Sequence, residues 1–357
     1  KGKIDMTTGH IMKNIILFAI PIIIGNVLQQ LYTTVDALVI GKYCGDTSLA
    51  AVGTSSQPVE VLLCVFLGIG TGVSILISQY IGARESGKVV SVCGTSITLI
   101  YIVGIPIGIL GWFAAPYVLE FINSLTFRFF FSKASLWFLV VSCVSNIVFD
   151  LLFVAGFGMD VAGAALSTSI AMFISWIVSI VYIRKKFPEI QFTYLPRRFS
   201  GTMMKAILAI GLPVGLNNSL YSLGHVALQT FNNSQGAIFM AGGAVAGRIT
   251  GCANIAITGL SSAATTFSGQ NYGAKKYSRI KEGHWRIPLC SGLITLSFGL
   301  LFIMIHKPII RFFSSDEMVL MYASRHVVVM LLSQWFYAIF NCIISIVNGT
   351  GKVRYTT

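Results

Sequence analysis

Charge is what this chain has least of: Asp, Glu, Lys and Arg make up 10% of 357 residues, and acids are the scarcer sign, 12 against 25 bases. With 55% hydrophobic residues and a mean hydropathy of +0.79, such a chain cannot cover a soluble surface, and it reads as a polytopic membrane protein. No long polar stretch is present, which excludes a receptor or sensor built around a soluble domain. The seven cysteines (Cys44, Cys64, Cys93, Cys143, Cys252, Cys290, Cys342) are odd in number and scattered, with no CxxC pair. They read as small free hydrophobes, neither disulfides nor metal ligands. Five dispersed His residues and no HExxH argue against a membrane-embedded enzyme, and no cofactor is expected. The net charge of +13 suits nucleic acid in principle, but the basic residues fall in short loops between apolar runs, so no nucleic-acid partner is expected.

What is abundant is long apolar sequence. Runs long enough to cross a bilayer fall at about 14–41, 48–81, 89–119, 135–157, 161–183, 204–231, 236–270, 285–305 and 318–348, and they recur to the end of the chain, so no cleavable leader is expected. Pro21, Pro58, Pro106 and Pro213 inside them predict kinks or tilt. Arg84 and Lys88, then Arg184 to Lys186 with Arg197 and Arg198, then Lys275, Lys276, Arg279 and Lys281 mark three cytoplasmic loops, with the N-terminus on the same side. Following that alternation, one span is missing between about 122 and 132, where some ten residues cannot cross about 30 Å at 1.5 Å per residue.

An internal repeat accompanies this topology. Pro21-Ile-Ile-Ile-Gly-Asn26 recurs as Pro213-Val-Gly-Leu-Asn-Asn218, Gln79-Tyr-Ile-Gly-Ala-Arg84 recurs as Gln270-Asn-Tyr-Gly-Ala-Lys275, and Gly68 matches Gly259. Two halves of like orientation predict a parallel-repeat transporter with lobes at 1–195 and 196–357, the second cut short.

Only Asp36 and Asp150 fall securely within spans, with Glu60 a third candidate. An acid at the centre of a membrane helix costs about 2.5 to 3.5 kcal/mol on insertion scales and usually faces a cavity, an ion or a proton path. Asn146 and Asp150, four apart, share one helix face, and Thr168 on the next, antiparallel span reaches the same depth. Two carboxylates, an amide and a hydroxyl suit Na⁺ or a shared proton. The plainer alternative is that the two acids only tie helices together.

The chain resembles the multidrug and toxic compound extrusion (MATE) family. The resemblance rests on Pro21 to Gly53, with Leu-Tyr-x-x-x-Asp and Leu-Ala-Ala-Val-Gly, on Gly68 to Ala83 ending Ser-Gln-Tyr-Ile-Gly-Ala, on Asn146 to Thr168, and on Phe267-Ser-Gly-Gln-Asn-Tyr-Gly-Ala274. It implies an all-α membrane protein of two pseudo-symmetric six-helix bundles, with the fourth and the last two helices missing here. It also implies a monomeric exporter in a prokaryotic plasma membrane, trading organic cations or drugs against Na⁺ or H⁺ by alternating access. The family's amino-lobe cation site matches Asp36, Asn146, Asp150 and Thr168, and its helix-kinking proline matches Pro21. No Asp or Glu occurs between Glu189 and Glu282, so coupling by carboxylate is not expected in the second half. Gln29, Tyr32, Gln57, Glu60, His225, Met240 and Arg248 are the candidates for a substrate cavity, each with helix packing or snorkelling as its plainer role. The runner-up, a lipid-linked oligosaccharide flippase, wants a basic groove, and Arg248 alone does not make one.

Overall fold

The computed structural model describes residues 5–43, 64, 66–99, 102, 132–186, 199–313 and 316–356. Among them are nine α-helices and no strand: α1 Ile11–Tyr43, α2 Phe66–Gly82, α3 Ser86–Leu99, α4 Ser132–Asp150, α5 Asp160–Lys186, α6 Gly201–Ser234, α7 Ala237–Gly273, α8 Tyr277–Phe313 and α9 Glu317–Gly349. Five of them, α1 and α6 to α9, are long and apolar enough to cross a membrane by length and composition. The 33 residues of α1 make a rod of about 50 Å, more than a bilayer needs. Both the stretch up to residue 131, where a span is expected to be missing, and the proposed boundary at 195/196 lie outside the described residues.

Helix ends follow local chemistry. Asp316 caps α9, its Oδ1 accepting from Met318 N at 2.8 Å and Val319 N at 3.2 Å, with Glu317 adding negative charge to the first turn. The ends of α2 and α7 are built alike, although they lie 191 residues apart in sequence. Arg84 and Lys275 both adopt the left-handed conformation, at φ 59° and 58°, and Glu85 N and Lys276 N reach back to Tyr80 O and Asn271 O. A left-handed basic residue costs about 1 to 2 kcal/mol, so the turn is held by the carbonyls it satisfies.

The internal repeat becomes a packing symmetry. At the crossing of α2 and α7, a side chain on Gly82 would strike the Gln270 backbone and one on Gly273 would strike the Gln79 backbone. These are the same contact made twice, since 82 and 273 are repeat-equivalent, as are 79 and 270. Further along, Gly68 of α2 lies against Gly215 of α6, while Gly259 of α7 lies against Ile23 of α1, again equivalent positions. Small residues let these helices approach backbone to backbone, which is how association is driven where lipid is as apolar as leucine.

Helix α1 divides its packing between the two halves of the chain. Ile11, Ile15, Phe18 and Ala19 are buried with Leu260, Ala263, Ala264 and Phe267 of α7, Ile287 of α8 and Cys342 and Ile346 of α9. Ile23 and Asn26 still face α7, and only from Leu28 onward does the same helix turn to the first half: the Cys143 thiol of α4 lies 3.9 Å from Leu28 O, and Val35 and Val39 pack on Val154 and Ala164. The proline removes a backbone donor and so weakens the helix about two turns before the change of partner. Pro21→Ala should leave the fold intact and stiffen α1, so that α1 amides near residue 21 exchange more slowly with deuterium.

Candidate functional site

A polar set lies between α4 and α5. Asn146 and Asp150 sit one turn apart on α4 and are 1% and 0% exposed, and Thr168 on α5 is 8% exposed. Asn146 Nδ2 donates to Thr168 Oγ1 at 3.0 Å, and that hydroxyl donates to Ala164 O at 3.0 Å, one turn back on its own helix. Both polar ends of Thr168 are thereby engaged, and it fixes the orientation of the amide. The Asn146 Oδ1 is left buried with no hydrogen-bond partner among the described residues. An unpaired buried acceptor beside a fully buried carboxyl is costly in apolar surroundings, and the cost falls when a proton or a small cation is shared between the oxygens.

The helix changes form at this point. Residues Leu151–Gly156 continue α4 as a π-helical turn, with Phe157 N donating to Leu152 O and Met159 N to Phe153 O, both at 2.9 Å. Phe149 and Phe153 stack across the junction, their centroids 5.6 Å apart. Single π turns inside α-helices recur at functional sites because they widen the helix and re-aim its side chains. A run spanning 135–157 gives no sign of this, since periodicity registers apolar length rather than hydrogen-bond offset. The π turn also carries Val154, which meets Val35 and Val39 of α1. Position 36 therefore lies on the stretch of α1 that packs beside the segment following Asp150.

The structure places Asn146 against Thr168, with the buried Asp150 one turn along α4. The side chains of Asp36 and Tyr32 are outside the described residues, as are Gln57 and Glu60 entirely. Pro21 is buried and Gln29 half-buried on α1, while Met240 and Arg248 are exposed near the start of α7. His225 on α6 is exposed too, and it belongs to a cluster that sequence reading did not identify. Its ring meets Tyr221 edge-on at 4.9 Å, Tyr221 stacks on Tyr337 of α9 at 6.5 Å, and Asn341 Nδ2 donates to the Tyr337 hydroxyl at 3.1 Å. The repeat offered a signal for it: at the 192-residue offset that relates Pro21 to Pro213, Tyr221 is the counterpart of Gln29.

Comparison with known proteins agrees with this architecture. The MatE family model matches residues 21–182 and 213–357. The probable multidrug resistance protein YoeA of Bacillus subtilis is 25% identical over 97% of this chain and 83% of its own length. YpnP of the same organism, also described as a probable multidrug resistance protein, is 26% identical over 77% of this chain and 68% of its own length. Among solved structures, the outward-facing conformation of a multidrug resistance MATE family transporter of the MOP superfamily superposes with a TM-score of 0.82. It covers 100% of this chain and 87% of that one at 20% identity. Family match, helical fold and repeat symmetry agree: this multi-pass membrane protein belongs to the MatE family of transporters.

Proposed function

We propose that this protein exports amphiphilic organic cations across a prokaryotic plasma membrane by alternating access, driven by Na⁺ or H⁺ exchanged at Asp36, Asn146, Asp150 and Thr168. The observation that carries the reading is Asp150, a wholly buried carboxyl on a helix of a membrane transporter, one turn from an amide oxygen that has no partner among the described residues. Relatives described as multidrug resistance proteins support the class of cargo. The N-terminus lies in the cytoplasm in this reading, and the halves 1–195 and 196–357 are the lobes that rock against each other.

Ion and cargo are linked through their differential affinity for the two facing states, and a ligand that binds both states equally moves nothing. When the ion enters, Asn146 supplies its carbonyl oxygen, Thr168 keeps that amide turned towards the site, and the carboxylates supply negative charge. Release of the ion leaves buried charge behind. That cost favours a rearrangement of the π turn and of the part of α1 packed on it.

The Tyr221, His225, Tyr337 and Asn341 cluster forms the carboxy-lobe wall of the cargo cleft in this reading. An exposed ring such as Tyr221, backed by the half-buried Tyr337, attracts flat cations by about 0.5 to 2 kcal/mol per cation–π contact. Tyr221→Ala should therefore raise the KM for planar aromatic cations about tenfold and leave kcat nearly unchanged, measured as dye efflux from proteoliposomes. The coupling ion is identified by imposing a Na⁺ gradient at fixed pH, then a pH gradient without Na⁺. Efflux driven by neither gradient would overturn the antiport reading.

A further inference from the structure

The five residues before α1 are held in a manner that general packing does not explain. Every carbonyl from Asp5 to Gly9 accepts a hydrogen bond from a side chain. Asn14 Nδ2 donates to Asp5 O at 3.2 Å and Thr8 O at 2.8 Å. Asn271 Nδ2 donates to Met6 O at 3.1 Å, and Lys276 Nζ to Thr7 O at 2.8 Å. One guanidinium nitrogen of Arg279 reaches Met6 O, Thr8 O and Gly9 O at 3.3, 3.4 and 3.0 Å. In return Met6 N donates to Gln270 Oε1 at 3.0 Å, and the Met6 side chain is wholly buried. Four of the five carbonyls are thus bound by the end of α7 and the start of α8, in the second half of the chain, while the strap itself is continuous with α1.

The repeat makes this asymmetric. Gln270 secures the strap, whereas its counterpart Gln79 donates across the halves to Gly349 O at 2.9 Å, at the end of α9. Twin glutamines at one crossing therefore make two different stitches, both between the halves and both beside the basic turns. Asp5 braces the strap from within, its Oδ1 accepting from the Thr7 amide at 2.8 Å and the Thr7 hydroxyl at 2.6 Å. Partial burial pushes its carboxyl up, but hydrogen bonds from the Thr7 hydroxyl and amide, with the positive charges of Lys276 and Arg84, outweigh that and hold it below the ordinary carboxylate value. A depressed carboxylate contributes its stabilisation above the ordinary value and loses it only as pH falls through the depressed one, so this local brace stays in place across neutral pH.

We propose that the strap Asp5–Gly9 is a latch that closes the basic face of the transporter, with Arg279, Asn271, Lys276 and Gln270 as the positioning residues that must release it before that face can open. The inference rests on the alternating-access reading. The same helix that carries Asp36 is anchored through this strap to the opposite half, so closure of one face and occupancy of the ion site are set at the two ends of α1, on either side of Pro21.

The test joins Thr8→Cys to Arg279→Cys with a short, reducible methanethiosulfonate bridge, in an otherwise cysteine-free full chain. With the bridge in place, efflux from proteoliposomes should fall at least tenfold and return on reduction. Deuterium exchange of residues 260–273 and 342–349 should slow with it. Exchange needs no cargo, so it tests the latch even if the export reading fails. Arg279→Lys, which keeps the charge but loses the three-way fork, should speed that exchange several-fold relative to the unaltered protein. Undiminished efflux or unchanged exchange with the strap bridged would overturn the latch.

Discussion

Replacement of Asp150 by asparagine should reduce gradient-driven efflux at least a hundredfold while the protein still inserts, folds and binds its cargo. The reason lies in the surroundings of the carboxyl. It is wholly buried, and Asn146 is turned by Thr168 so that Oδ1 lacks a partner among the described residues. The amide replacement keeps the shape and the hydrogen-bonding capacity, but it carries no charge and takes up no ion. Stability should therefore hold or rise, because an uncharged group is cheaper to bury, while the difference between loaded and empty states disappears. Efflux under an imposed ion gradient and the melting temperature in detergent, measured on the same preparation, separate these effects. Coupled efflux that survives Asp150→Asn with a normal ion dependence would remove this site from the mechanism. Asp36→Asn should behave in the same way.

The second large effect is expected at the crossing of α2 and α7. Gly273→Val places branched carbon against the Gln79 backbone, and Gly82→Val does the same against Gln270. Neither neighbour is a flexible side-chain tip that can swing aside. Overpacking of this kind typically costs about 1 to 3 kcal/mol, which is a factor of roughly 5 to 150 in an equilibrium constant. The cost applies only while the two backbones touch, so it opposes the state in which the basic ends are together. Spin-label distances across that face should lengthen in both variants, and Gly82→Val with Gly273→Val combined should be less than additive, because either side chain alone already separates the helices. Unchanged distances would mean that the crossing does not govern closure.

Much of this protein was legible without coordinates. Length and apolarity placed the helices: the run at 318–348 is α9 at 317–349, and that at 204–231 is α6 at 201–234. Runs of this kind are readable because the bilayer imposes both a length and an obligation to satisfy every backbone group within the helix. The meeting of Asn146 with Thr168, one turn from Asp150, was legible for a related reason, since a four-residue spacing and a short antiparallel turn determine depth and face together.

Other features depend on which helices meet, and no local pattern carries that. The π turn after Asp150 arises from a shift in hydrogen-bond offset that composition does not encode. Tyr337 and Asn341 read as part of an apolar packing helix until α6 brings Tyr221 against them. Asp5 to Gly9 carry no pattern that marks them in the sequence, yet tertiary structure makes them the point where α7 and α8 grip α1. By itself the sequence determined a membrane-spanning, twofold-repeated helical chain with one acidic polar set, because hydropathy, charge placement and repeat spacing are written along the chain. Only the tertiary structure decided that α1 is shared between the halves, that paired glycines join them at the basic end, and that a strap of backbone carbonyls fastens them there. Those are contacts between residues some 190 to 270 positions apart, formed by helix surfaces whose partners the order of residues does not name.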